Sequence, residues 1–175
     1  MLMGPIGVAF AFLVSVLGVF VPLILIASRG ERVRRLAITL ILAAGVAGCR
    51  VAVSGFLWQS APQLDLSRTT PFPFSLAVDR LSAFFLLLVC AVAVPVTIFA
   101  GPYFDLHYSE QQRQWTWAFY SLFLFSMIVV VTASTGFAFL AGWELMTLVS
   151  AALILIEGDS PERRHNVFIY LLMMH

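Results

Sequence analysis

Charged side chains fall in clusters along the chain and leave charge-free runs at 1–28, 36–49, 51–64, 81–104, 114–143 and 145–156. A helix that crosses a bilayer needs roughly 20 mostly apolar residues for a hydrocarbon layer of about 30 Å, so several of these runs are long enough. The pattern predicts spans at about 3–28, 36–57, 81–100, 115–133 and 136–156, and an incomplete sixth at 166–175. The expected fold is therefore all-α: a polytopic transmembrane helix bundle with five spans plus the start of a sixth. The 30-residue run from Gln114 to Trp143 is too long for one crossing, and Ala133-Ser134-Thr135-Gly136 is its one turn-like break. Pro95 should bend the third span, which Gly101 and Pro102 should end.

Residues 58–78 carry Pro62, Pro71 and Pro73 among serines and threonines, which opposes a regular helix and predicts a connector outside the membrane. Trp115 and Trp117 suit an interfacial belt at the start of the fourth span.

Composition strengthens this picture. Of 175 residues, 61% are hydrophobic and 11% are charged, against about a quarter charged in soluble domains. A net charge of +1 without a basic stripe gives no footing for nucleic acid, so the lipid bilayer is the expected partner. The first span has no basic residue before it and exceeds the apolar core of a cleaved signal, so it is expected to remain as an anchor. With the N-terminus outside, the inner ends would hold seven arginines (Arg29, Arg32, Arg34, Arg35, Arg113, Arg163, Arg164) and the outer side three (Arg50, Arg68, Arg80). The positive-inside rule favours that orientation in a cell's inner (cytoplasmic) membrane.

Candidate chemistry is sparse. Glu144 lies nine residues into the fifth span, about 12 Å along it by helix rise. A carboxylate at such depth costs a few kcal/mol and generally faces a bundle interior or a hydrated cavity. Ala141, Thr147 and Ala151 share its face by helical spacing and would allow close approach of another helix. Glu144 can then serve as a proton relay or as a structural polar contact. Arg50 lies near the outer end of its span and can snorkel, which makes a structural role the simpler one.

Asp79 and Arg80 suit helix entry. His175, ten residues into the last run, could join a proton path. His107 and His165 fall in polar links. Cys49 and Cys90 read as small buried hydrophobes. There is no cysteine spacing for iron–sulfur ligation, no nucleotide loop and no pair of intramembrane histidines for haem, so no cofactor, metal or catalytic residue is expected.

Val78-Asp79-Arg80-Leu81-Ser82-Ala83-Phe84-Phe85 and Gly142-Trp143-Glu144-Leu145-Met146-Thr147-Leu148 resemble the antiporter-like membrane subunits of respiratory complex I, NADH:quinone oxidoreductase. The same family includes subunits of multisubunit sodium/proton antiporters, formate hydrogenlyase and group 4 membrane hydrogenases, and the hydrogenase branch is the most similar. The resemblance covers residues 74–175 well and 1–73 only by span layout.

It implies about fourteen helices, two inverted five-helix repeats and a mid-membrane line of charged residues. Glu144 would then be the span-five glutamate that pairs with a lysine on a later helix, and His175 would match a histidine of span six. The partner lysine and the second repeat are absent from these residues. The implied protein is a proton (cation) translocating subunit, of which this chain is the N-terminal part. It would sit beside other membrane subunits and a peripheral redox module that holds the oxidoreductase chemistry. Two alternatives are a small non-transporting scaffold or assembly subunit, in which Glu144 contacts a partner helix, and a solute transporter without redox partners.

Overall fold

The computed structural model describes residues 5–27, 30–57, 62–67, 71–156 and 161–174. It is all-α apart from one small hairpin, in the order α1 (Pro5–Ser15), a π-helical segment (Val16–Phe20), α2 (Val21–Ala27), α3 (Glu31–Leu57), β1 (Gln63–Asp65), β2 (Ser75–Ala77), α4 (Arg80–His107), α5 (Glu110–Thr132), α6 (Gly136–Ile156) and α7 (Pro161–Met174). Five helices, at Ile6–Ile26, Glu31–Leu57, Arg80–His107, Glu110–Thr132 and Gly136–Ile156, are long and apolar enough to cross a membrane.

The first of them is a single rod with a slip in its middle. Pro22 has no amide hydrogen to donate one turn back, and just before it the helix widens, so that the Val21 amide reaches the carbonyl of Val16. Upstream of the slip α1 packs on α3, and downstream α2 packs mainly on α5.

Small residues set the helix pairs. Gly45, Gly48 and Gly55 line the α3 face that meets α4. A Cβ at Gly48 would collide with Sγ of Cys90, and one at Gly55 would come within 3.0 Å of the Ala83 Cβ. Gly142 does the same between α6 and α5, where a Cβ would lie 2.8 Å from Val129. Such approaches let backbones close when both partners are apolar.

Several boundaries differ from the sequence expectation. α4 does not stop at Gly101-Pro102 but runs on to His107. Its last turn is held by Phe104, whose ring meets Trp117 edge-on at 5.3 Å, and by ion pairs to Asp105. These contacts offset the donor lost at Pro102. α5 starts at Glu110 instead of 115, because Ser109 forms a capping box with Gln112. Trp117 is buried, not interfacial, whereas Trp115 is exposed.

The described residues of the connector, 62–67 and 71–78, are not helical, as expected, but they hold an antiparallel ladder that pairs Gln63 with Ala77, Leu64 with Leu76 and Asp65 with Ser75. This hairpin folds over the α5–α6 turn. Leu76 bridges Ala133, the Ser134 amide donates to Ser75 O at 3.0 Å, and Thr135 Oγ1 donates to Pro73 O at 2.7 Å. Leu76 and Val78 are buried beneath it.

Asp79 caps α4 by accepting from the Ser82 amide at 2.7 Å. That bond holds its carboxyl below the ordinary carboxylate range. A folded-state value depressed in this way adds stability that is present above about pH 4, the unfolded value, and is lost as pH falls through the folded one.

Two outcomes follow from this packing. Gly48→Ala should lower stability by about 1–3 kcal/mol, the usual cost of overpacking, and Cys90→Ala in the same chain should recover part of it in detergent melting curves. Asp79→Ala should cost about 1 kcal/mol at neutral pH, the usual value of an N-cap, and the gap to the wild type should close on acidification.

Candidate functional site

Two constellations of polar side chains stand out in this apolar chain. The first ties helix ends together. Arg34 of α3 reaches Asp105 at 3.2 Å and Glu110 at 3.6 Å, while Arg113 of α5 reaches Asp105 at 2.9 Å and also pairs with Glu110. The guanidinium side chains are only 11% and 18% exposed, whereas the two acids are about half exposed.

The network crosses from the start of α3 to the end of α4 and the start of α5. Nearby, Gln114 Nε2 donates to Leu25 O at 3.1 Å, and Gln112 Nε2 donates to Ile156 O at 3.2 Å, which brings in the ends of α2 and α6. One end of the bundle therefore gathers Arg32, Arg34, Arg35 and Arg113, with Arg163 and Arg164 in the first turn of α7. The sequence marked these arginines as a charge bias. It did not reveal the ion pairs, which depend on residues about 70 positions apart meeting in space.

The second constellation surrounds Glu144 on α6. α6 packs on α5 and α7. Its α5 face carries Ala138, Gly142 and Val149, all buried, with Gly142 pressed on Val129 and Val130. Two residues beyond Gly142 are about 200° further round a helix, so Glu144 lies on the opposite side and is exposed.

The expected face of Ala141, Glu144, Thr147 and Ala151 therefore divides. Thr147 and Ala151 are buried and Ala141 is half-buried, whereas Glu144 stands with exposed Leu140, Leu148 and Leu155. Within the described residues the acid does not face the bundle interior, which corrects the sequence expectation. Gly142 was the available signal, being the smallest side chain on α6 and in register with Ala138 and Val149.

α7 covers the far half of α6. Its Tyr170 hydroxyl lies 2.7 Å from Ser150 Oγ, which also donates to Thr147 O at 2.9 Å. Thr147 in turn donates to Trp143 O at 3.0 Å. Thr147 and Ser150 thus return their hydroxyls to the α6 backbone, and Ser150 also ties α6 to α7 through Tyr170. His175 lies outside the described residues.

The other candidates are scattered. Arg50 is exposed on α3, and Asp79 and Arg80 lie exposed at the entry to α4. Cys49 is half-buried and Cys90 buried, both as free thiols. His107 and His165 are exposed, and His107 stacks on Tyr103 with 4.4 Å between centroids. A further polar point, not singled out by the sequence, lies between α4 and α5: the Thr97 hydroxyl donates to Ala93 O at 2.6 Å and lies 3.0 Å from Tyr120 Oη, two residues past Pro95. It shares its level with a groove of about 260 Å³ between Val92, Ala93, Val96, Tyr120 and Phe123.

No protein-family model matches the chain. It is similar to two proteins of Mycobacterium tuberculosis described as uncharacterized, MT0090 of strain CDC 1551 / Oshkosh and Rv0083 of strain ATCC 25618 / H37Rv. Each is 34% identical over 96 residues, which is 55% of this chain and 14% of the relative. The matched stretch thus spans about a seventh of the length of these curated relatives.

Replacing Arg113 by Met should destabilise the fold by about 1–3 kcal/mol, between the values for exposed and buried ion pairs, because its acidic partners keep contact with solvent. Melting in detergent would measure this, and the gap from wild type should narrow at high salt.

Proposed function

We propose that this chain belongs to a proton-translocating membrane subunit within a redox-driven complex. In this account Glu144 is the proton-binding group. Support comes first from the Asp79–Phe84 and Glu144–Leu148 motifs, which resemble those of antiporter-like subunits of membrane hydrogenases and complex I. The observation that carries most weight is the depth of Glu144, midway along a helix of membrane-crossing length.

A carboxylate turned to hydrocarbon costs at least a few kcal/mol. The exposed Leu140, Leu148 and Leu155 beside Glu144 form a face on which another protein helix or a hydrated cleft would meet the acid. At such a contact the acid would be the proton-binding group of the path. On the adjacent face the Ser150 and Tyr170 hydroxyls meet, and Thr147 and Ser150 each donate to a backbone carbonyl of α6, so these groups can orient water there. His175 would add a group able to titrate near neutral pH.

The arginine-gathering end would face the cytoplasm and the hairpin end the outside of the inner membrane. The redox chemistry would belong to a peripheral module. The same outward position of Glu144 also suits a scaffold in which the acid only holds a neighbouring helix, and one experiment separates the two.

Glu144→Gln in the full-length protein within its complex should cut proton translocation in sealed vesicles by about tenfold or more, the scale of a positioned proton carrier, and leave assembly on native gels intact. Unchanged translocation with lost assembly would instead mark the scaffold role.

A further inference from the structure

Arg50 has no place in the proton account and no counterpart in the arginine network at the other end of the bundle. It sits seven residues before the end of α3 at Leu57, about 10 Å in from that end by helix rise. Its side chain is exposed, and among the described residues it forms no hydrogen bond or ion pair. A guanidinium cannot shed its charge in a protein, and its long stem lets it snorkel toward the headgroup level at this end of α3, where lipid phosphates lie.

Two surfaces meet at this residue. One is the open outer face of α3 formed by Val46, Cys49, Val53, Ser54 and Leu57; the other, a cleft of about 360 Å³, is lined by Ile6, Ala9, Val51 and Ser54 between α1 and α3. Arg50 and Ser54 line both, and the remaining walls are apolar apart from the Cys49 thiol. Ser54 Oγ donates to Val51 O at 2.7 Å.

We infer that Arg50 holds the phosphate of an anionic phospholipid, with an acyl chain lying along the apolar outer face of α3. The inference rests on the reading of these helices as membrane-spanning, and not on proton transport. Charge complementarity selects the occupant. A planar guanidinium binds phosphate through two parallel hydrogen bonds, and a phospholipid joins that anion to a chain able to lie along the apolar outer face of α3. Both surfaces lie toward the hairpin end, so the lipid belongs to the leaflet on that side.

The test uses the full-length protein, delipidated in detergent and titrated with phosphatidylglycerol or with inorganic phosphate, with bound species counted by native mass spectrometry. Wild-type protein should retain phosphatidylglycerol, Arg50→Gln should retain about tenfold less, the worth of one charge-assisted hydrogen bond, and Arg50→Lys should fall between. Arg35→Gln, at the opposite end, should match wild type.

Equal retention in Arg50→Gln and wild type would overturn the inference. So would release of the lipid by inorganic phosphate, which would indicate a free-anion site, or loss of a protein subunit from Arg50→Gln in place of lipid, which would indicate a partner acid. Arg50 is exposed, so the Gln variant should melt with the wild type. If it does not, the Lys variant carries the comparison, and retention equal to wild type there together with insensitivity to lipid charge would count against a phosphate contact. Glu144→Gln should leave lipid retention unchanged, which keeps this outcome separate from that of the proton reading.

Discussion

The contact of Gly142 with Val129 and Val130 governs what this bundle presents to its surroundings. Two apolar helices have little to gain from each other by excluding water if lipid is the alternative, so they associate where small residues allow wide backbone contact. Gly142 supplies that contact for α6 and fixes the rotation of the helix about its own axis. Once Gly142 faces α5, Glu144 has no choice of direction. The acid's outward position is thus a result of packing two residues away and not of its own chemistry.

The glycines of α3 play the same part toward α4, and their spacing leaves Arg50 on the outside in a similar way. Between them the two pairs α3–α4 and α5–α6 account for most of the bundle, with the first rod lodged against α3 and α5. Polar bonds then lock the two ends. At one end the lock is ionic and crosses three helices. At the other it is the β hairpin, whose backbone and hydroxyl groups grip the α5–α6 turn. The middle of the bundle has few such ties, in keeping with its composition.

Much of the fold was legible in the sequence because length and hydropathy decide the helix count. The bounds of α6 and the break at Ala133–Thr135 agree with the expectation, as does the end of α3 at Leu57. The misses have local physical causes. Ser109 and Gln112 form a capping box whose signature was present in the sequence, and it moves the start of α5 forward. Pro102 looked like a terminator, yet distant partners of Phe104 and Asp105 sustain the turn beyond it. The hairpin has strands of three residues, too short to leave an alternating pattern. At the site, the depth of Glu144 could be counted along the chain. Its direction could not be obtained from neighbours of similar size, and needed the weight of a single glycine.

The widened turn at Val16–Phe20 has a geometric consequence. An extra residue in a helix of 3.6 residues per turn swings everything after it by about 100°. Phe10 and Leu13 before it, and Val21 and Leu25 after it, are all buried, yet the two groups serve different neighbours, α3 for one half and α5 for the other. One crossing thereby acts as a hinge pin shared by two helix pairs that touch each other only modestly. Excising a single residue there would turn the two halves of the rod relative to each other and swing Leu25 away from Gln114, leaving the ion pairs and the α4–α5 contacts to hold the two helix pairs together.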